Sequence, residues 1–336
     1  MEANVTHKYA SSNFLCVMKS DRMRAMTDRL ASATRALVGR FKRQRPLRAG
    51  SLIVTILGDS IAPRGGAVTL GSLIRLVEPF GVTERLVRTS VGRLAQDGWL
   101  ESQRSGRQSE YRLTDEGRRR FAEATQKIYA DSPRDWDGSW TLLWLPEKSR
   151  AHRDKIRDEL TWLGFGQISA GVLAHPTYPI DEARAKLEQL NGSETLVLMR
   201  GVGADARGDQ ELVKVGWDLT DLARRYEKFL ASFTPILEGA KQTPGAAETL
   251  TPEVAFLVRT LLIHEYRKIH LRDPLLPRAL LPTDWIGTAA YELCRDLYRV
   301  LFHKAEAHVA QLAETLNGPL ASTSRDTLRR FGGLHS

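Results

Sequence analysis

The stretch from Gly81 to Arg112, GVTERLVRTSVGRLAQDGWLESQRSGRQSEYR, limits what this chain can fold into more than any other. Thr83 followed by Leu86, Val87, Val91 and Leu94 has the spacing of an N-capped helix with one apolar stripe. Ser90 is small enough to sit where that helix crosses another. Gly98 is placed to end the helix, and two short runs then flank Ser105-Gly106 as a tight β-hairpin requires. Upstream, Thr69 to Val77 carries Leu70, Leu73, Ile74 and Val77 on one helical face. Pro79 stops it, and Phe80-Gly81-Val82 supplies a short turn. Helix, turn, helix and hairpin in this order outline a winged helix-turn-helix, for which the partner is double-stranded DNA.

With the stripe turned inward, Thr83, Glu84, Arg85, Arg88, Thr89 and Arg93 face outward on the second helix, and the hairpin carries Arg104, Arg107 and Arg112. Arginine can make paired hydrogen bonds to guanine O6 and N7 in the major groove. A basic helix face taken alone is as readily a solvated surface; its conjunction with the turn and the hairpin favours DNA. The charge distribution points the same way. Of the net +9, residues 1–48 carry +8, residues 49–130 carry +3 and the remainder −2. Cationic excess beside a proposed reader is what a polyanion requires.

The other segments are read in chain order. Residues 1–46 are a basic extension whose composition favours a partly disordered tail. Met23, Met26, Leu30, Leu37, Val38 and Phe41 would also suit an amphipathic helix, and the run Arg40 to Arg45 could touch phosphate. Residues 47–131 hold the reader. Ser51 to Leu57 (SLIVTIL) has the apolar, β-branched look of a strand, but the helical length of Arg48 to Asp59 and the lack of a hairpin partner favour a helix. The hairpin's second strand, ending in Tyr111 and Arg112, runs into a Thr- or Asp-capped helix from Glu116 to about Ala130. Its Arg118-Arg119-Arg120 either touch phosphate or form a solvated face. Ser132-Pro133-Arg134-Asp135 reads as a linker.

From Trp140 the texture changes. Strands are expected at Trp140–Leu145, Gln167–Ala174 and Thr195–Arg200, and helices at Arg150–Leu163 and Asp181–Leu190, with room for one more strand. That order suggests a ferredoxin-like domain over 136–217. Residues 218–320 are mainly helical: Trp217–Phe233, a break at Thr243-Pro244-Gly245, a helix opened by Thr251-Pro252, a loop from Arg272 to Pro282, and a final helix from Thr283 to about Leu316. Residues 321–336 read as a frayed tail. The fold class is therefore α+β and multidomain.

Chemistry is not indicated. His264 and His270 are six residues apart and so fall on different faces, unlike the histidines of HExxH. There is no Gly-rich phosphate loop or GxSxG elbow. A metal-dependent nuclease on the central domain would want carboxylates clustered where Leu145-Pro146-Glu147 ends the first strand. No catalytic residue, metal site or cofactor is expected. Cys16 and Cys294 lack disulfide or zinc spacing, and no run approaches the ~18 apolar residues of a membrane span, so a cytoplasmic chain with no membrane partner is expected.

Several segments resemble the bacterial PaaX family of phenylacetate-catabolism repressors. They are GVTERLVRTSVGRLAQDGWL with YRLTDEGRRRF, WDGSWTLLWLPE, and most specifically LLIHEYRKIHLRDPLLPRALLPTDWIGTAAYELCRDLY. The resemblance spans roughly Leu47 to Glu314. It implies a homodimeric repressor that binds a palindromic operator and is released by phenylacetyl-CoA, or by another aryl- or acyl-CoA, and a central domain that is Cas2-like. A CoA thioester needs cations for its phosphates and an apolar slot for its acyl end. His264, Tyr266, Arg267, Arg272, Arg278 and Trp285 supply both types. A buried network of His264, Glu265 and Arg272 bracing two helices is the competing reading, and the two can coexist.

Overall fold

The computed structural model describes residues 29–130, 135–145, 150–190, 197–241 and 247–334. The expected linker at 132–134, the break at Thr243-Pro244-Gly245, Glu147 and residues 1–28 of the extension lie outside them. The chain forms two compact units. One comprises Met1–Ala130, Phe229–Arg267 and Tyr291–Ser336, the other Asp131–Lys228 and Lys268–Ala290. This division cuts across the helical segment 218–320 that the sequence suggests as one domain.

The first unit opens with helix α1 (residues 29–42), where composition favours a solvated tail. The tail reading fails for these residues because composition averages over both faces. Leu30, Thr34, Leu37 and Phe41 recur at helical spacing and are all buried, while Arg29, Arg35 and Arg40 point to solvent. Then come α2 (Ala49–Ile56), a π-helical turn over Leu57–Ile61, β1 (Ala67–Thr69), α3 (Leu70–Val77), α4 (Glu84–Gln96), β2 (Leu100–Ser105), β3 (Gln108–Leu113) and α5 (Asp115–Tyr129). The SLIVTIL segment is helical because it is covered on several sides: Leu52, Ile53, Thr55, Ile56 and Leu57 are all buried. Strand β1, which the sequence reading lacks, adds to β3 antiparallel and gives a three-stranded sheet in the order β1-β3-β2.

The second unit is built on β4 (Ser139–Trp144), α6 (Arg150–Trp162), β5 (Gly166–Ser169), β6 (Val172–His175), α7 (Ile180–Gln189), β7 (Val197–Val202) and α8 (Ala206–Gly216). Its antiparallel sheet has the order β5-β6-β4-β7, the arrangement of a split βαβ fold. The single strand expected over Gln167–Ala174 is a hairpin, turned at Gly171 with φ 84°, and this supplies the missing strand. Ile156 and Leu160 of α6 and Ala183 and Leu187 of α7 pack on one sheet face with Leu143, Phe165 and Leu173. On the other face Trp140 and Ala174 meet Val213 of α8 and Leu276 and Leu280. Helix α8 is a further departure: Trp217, expected at the start of a helix, is extended (φ −140°, ψ 133°) and separates α8 from the next one.

Three longer helices follow, α9 (Leu219–Lys241), α10 (Pro252–His270) and α11 (Ile286–Leu312). Helix α11 ends four residues earlier than the sequence suggests, because β8 (Glu314–Thr315) and β9 (Gly318–Pro319) form a small hairpin. Residues 321–334 are not frayed. They contain α12 (Arg325–Leu328) and bury Thr327, Arg330 and Phe331.

Arg330 reaches the most heavily charged part of the first unit's interior. Asp59, in the π turn, accepts hydrogen bonds at Oδ1 from Tyr129 Oη (2.6 Å), Tyr298 Oη (2.9 Å) and Arg330 (2.8 Å). Its Oδ2 faces Arg259 Nε at 3.2 Å. Burial pushes the Asp59 carboxyl up, but the charges of Arg259 and Arg330 and the two tyrosine hydrogen bonds more than offset this and hold it below the ordinary aspartate value. Asp59 thus contributes stability that is present above the ordinary aspartate range and lost as pH falls through the depressed folded value. Replacing Arg330 by methionine leaves a buried carboxylate short of a partner. It should cost about 3–5 kcal/mol and move the acid limb of the stability curve to higher pH. Urea unfolding across a pH series checks both, and an unchanged midpoint would show that Arg330 is dispensable.

Candidate nucleic-acid interface

Gly81 turns the chain into α4 with φ 78°, a conformation in which a side chain would be strained. The Thr83 hydroxyl caps the helix by accepting from Leu86 N at 3.4 Å. Val87 and Val91 are fully buried. Leu94 is half-buried, and Leu86, expected in the inward stripe, is 37% exposed. The phase set by Val87 and Val91 rotates the first-turn leucine away from the core. Ser90 lies at the crossing with α2, its Oγ 3.6 Å from where a Cβ on Gly50 would stand.

Thr83, Glu84, Arg85, Arg88, Thr89 and Arg93 are all exposed. Arg88 is drawn back along the helix to Glu84, with Nε to Oε1 at 2.8 Å. The Thr89 hydroxyl donates to Arg85 O at 2.9 Å, which fixes its rotamer. Among the described residues Arg85 and Arg93 make no ion pair, so their guanidinium groups are free to meet an anionic ligand.

The hairpin reverses at Gly106, which takes φ 58° in a two-residue loop between the paired Ser105 and Gln108. Arg104 and Arg107 are exposed at this tip. Arg112 is different. It is half-buried and bonded at 2.9 Å to Glu110, a carboxylate that is 1% exposed and also accepts from Leu316 N. It neutralises a buried charge rather than presenting a free cation. The basic run at the start of α5 is similarly occupied: Arg119 pairs with Glu116 and Glu123, Arg120 pairs with Glu116 and stacks over Trp99 at 5.1 Å, and Arg118 bonds Gly65 O.

The hairpin is seated on α5 by a close backbone approach. Thr114, the N-cap of α5, accepts from Gly117 N and donates to Gly98 O at 2.6 Å. A Cβ at Gly117 would stand 2.2 Å from Trp99 O. Gly117→Ala must therefore displace the hairpin's entry or the helix. A loss of about 1–3 kcal/mol in urea unfolding is expected; an unaltered midpoint would mean that this contact relaxes without cost.

The six residues that resemblance assigns to an effector divide between the units. His264, Tyr266 and Arg267 belong to the first, on α10. His264 and Tyr266 are fully buried. His264 Nδ1 is 3.1 Å from Thr55 Oγ1, and Arg267 donates to Thr55 Oγ1 (2.8 Å), Ser51 O (2.7 Å) and Ser51 Oγ (2.8 Å). His264 and Arg267 thus brace α10 on α2, as the network reading expects, although Arg267 occupies the place given there to Arg272. Arg272, Arg278 and Trp285 belong to the second unit; both arginines are exposed, and Trp285 is half-buried with its ring edge-on to Tyr226. In the loop that bears them, Asp273 accepts from Tyr226 Oη at 2.7 Å and from Leu275 N at 2.8 Å. The second of these holds Leu275 at φ 53°.

Sequence reasoning missed Asp59, Arg259, Arg330 and Glu306, since nothing in their local patterns marks them as partners. Among the described residues there is no group of three or more His, Cys, Asp or Glu able to hold a metal ion, and no helix long and apolar enough to cross a membrane.

Known proteins place this geometry. The chain matches the family models for PaaX-like protein over residues 48–117, the PaaX protein central Cas2-like domain over 133–213, and the PaaX-like protein C-terminal domain over 217–311. It is 36% identical over 293 residues to the transcriptional repressor PaaX of Escherichia coli (strain K12), an alignment that covers 86% of this chain and 92% of that protein. Among solved structures, an uncharacterized protein from Mycobacterium tuberculosis superposes with a TM-score of 0.46 at 21% identity, covering 70% of this chain and 89% of that one. Three family domains in sequence order, together with an alignment that runs nearly the length of both chains, make this protein a member of the PaaX family.

Proposed function

We propose that the protein is a transcriptional repressor that reads duplex DNA with a winged helix-turn-helix made of α3, the Gly81 turn, α4 and the β2–β3 hairpin. The observation that carries this reading is the exposed arginine face of α4 joined directly to a basic hairpin tip on one scaffold. The E. coli relative's name as a transcriptional repressor supports it. In this reading the N-terminal half of α4 enters the major groove. Thr83, Arg85, Arg88, Thr89 and Arg93 meet base edges and flanking phosphates, and Arg104 and Arg107 hold the backbone. Arg88 must leave Glu84 to do so. Arg112 acts by keeping β3 in place.

The regulated genes in this proposal are those of phenylacetate catabolism, the operator is palindromic, and the protein acts in the cytoplasm as a homodimer. Phenylacetyl-CoA, or a related aryl- or acyl-CoA, is the releasing effector. These points rest on the family resemblance. Exposed Arg272 and Arg278 are the cations best placed for CoA phosphates, while the interior positions of His264 and Tyr266 suit bracing. Release is a linkage effect: an effector that favours an arrangement with lower DNA affinity weakens binding by its coupling energy.

Arg85→Ala should lose discrimination at one base position by about 1–3 kcal/mol, whereas Arg104→Ala with Arg107→Ala should weaken all sequences together. Mobility-shift titrations of matched and mismatched operators separate these effects, and unchanged affinity in both variants would end the assignment of α4 and the hairpin. At fixed salt, phenylacetyl-CoA should abolish the shifted band where acetyl-CoA does not. Indifference to phenylacetyl-CoA would overturn the effector assignment and leave the reader untouched.

A further inference from the structure

We infer that the end of α1 is a second DNA-contacting element, in which Arg40, Lys42 and Arg43 bind backbone phosphates beside the point where α4 meets the groove. The inference rests on the reading of α4 just given and adds a surface to it from outside the residues matched by the family's N-terminal model, which begin at 48.

The position of these charges is fixed by the residue among them. Phe41 is 3% exposed and packs edge-on against Phe80 (ring centroids 6.0 Å apart) and His264 (5.7 Å). Phe80 and Gly81 form the turn that leads into α4. The stem of Lys42 lies along that turn: a Cβ at Gly81 would be 3.5 Å from Lys42 Cγ and 3.9 Å from its Cδ. Gly81 is two residues before the Thr83 cap, so the ammonium group is brought to the N-terminal end of α4. Arg40, Lys42 and Arg43 are exposed, and Arg43 folds back along α1, its Nη1 3.4 Å from a Cβ placed on Gly39. Arg45 is excluded from the set, because its guanidinium closes the helix by donating to Lys42 O and Gln44 O, both at 2.9 Å.

The chemistry selects phosphate over base edges. Lysine presents a compact point charge without the fork that reads guanine, and these residues sit beside the reading helix rather than on it. A helix pinned by a buried aromatic ring has already lost the conformational freedom that a solvated tail would lose on binding, so its charges act at a fixed place. Phosphate contacts of this kind raise affinity for every sequence equally and show themselves in the salt dependence.

The test uses the full-length chain, a short duplex of random sequence, and an operator duplex selected by the protein from a randomised pool. Fluorescence anisotropy is recorded across a salt series for Lys42→Gln with Arg43→Gln, and for Arg85→Ala. Both Gln substitutions are at exposed helical positions, and thermal unfolding checks that the fold is kept. The double variant should weaken both duplexes by the same factor and reduce the slope of log K against log salt by about 1.8, or about 0.9 for each phosphate released. The ratio of operator to random affinity should stay as it was. If slope and affinity are unchanged in the double variant while Arg85→Ala still lowers the ratio, the α1 element is wrong and the α4 reading stands. If the double variant lowers the ratio, Lys42 and Arg43 read bases and the phosphate assignment is overturned. If neither variant changes binding, or the native chain binds neither duplex, the α4 reading falls and this inference with it.

Discussion

The first unit depends on how one buried carboxylate is satisfied. Asp59 is 4% exposed and lies in the π turn that extends α2. Its partners come from four other places in the chain: Tyr129 at the end of α5, Arg259 on α10, Tyr298 on α11 and Arg330 near the C-terminus. A buried ion of this kind costs several kcal/mol in lost hydration, so the fold is stable only with all of these elements in position. The interaction adds little net stability over a well-packed apolar core. What it specifies is register, because no other arrangement of the five segments gives the carboxylate its partners. The DNA-reading elements accordingly share one interior with the C-terminal helices.

The cluster around Asp59 contains more positive than negative charge. Glu306 bridges Arg64 and Arg259, so three guanidinium groups, counting Arg330, meet two carboxylates. The remaining donors are met by neutral groups. Arg330 donates to Asp59 O and to Tyr298 Oη, Arg259 to Ser60 Oγ, and Arg64 to Ser60 O. Aromatic faces do the rest: Arg330 lies 4.2 Å from the Tyr129 ring centroid, and Arg259 lies 5.6 Å from that of Tyr298 and 5.9 Å from that of Phe302. Burial raises the pKa values of Tyr129 and Tyr298, so both stay protonated and can donate. The aromatic residues that crowd this part of α11 therefore have an electrostatic role beside their apolar one.

What was legible in the sequence follows from the range of each interaction. Helix α4, its Thr83 cap and the hairpin at Gly106 could be read because cap, stripe and turn are local signals. The helical nature of SLIVTIL was recoverable from length, but the reason for it was not, since its coverage comes from distant segments. Strand β1 is too short for a pattern, and the hairpin over β5 and β6 was merged into one strand because the only break is Ala170-Gly171. Arg112, read as a DNA contact, proves to be tied to Glu110, and cross-strand burial of a carboxylate leaves no mark in a linear pattern. Helix α1 and the C-terminal segment were misjudged for one reason: polar composition hid a few apolar residues at helical or turn spacing, Leu30, Leu37 and Phe41 in one and Phe331 in the other.

Helix α2 connects the reader to the C-terminal helices in a way that bears on regulation. Its polar side, Ser51 and Thr55, receives Arg267 and His264 from α10, and Gly50 faces Ser90 on α4 with no side chain to absorb a displacement. A shift of α10 must either break the Arg267 bonds or carry α2 with it, and a shifted α2 must move α4. Hydrogen bonds from a charged group contribute about 1.5–3 kcal/mol each, whereas allosteric coupling energies are typically about 1–3 kcal/mol. The Arg267 contacts are thus strong enough to transmit a coupling of that size without giving way. Burial lowers the pKa of Arg267, but its ordinary value of 12.5 is far enough above neutrality that the guanidinium stays charged. The link from α10 to α4 therefore does not switch with pH, and any change in DNA affinity that it carries must originate in what moves α10.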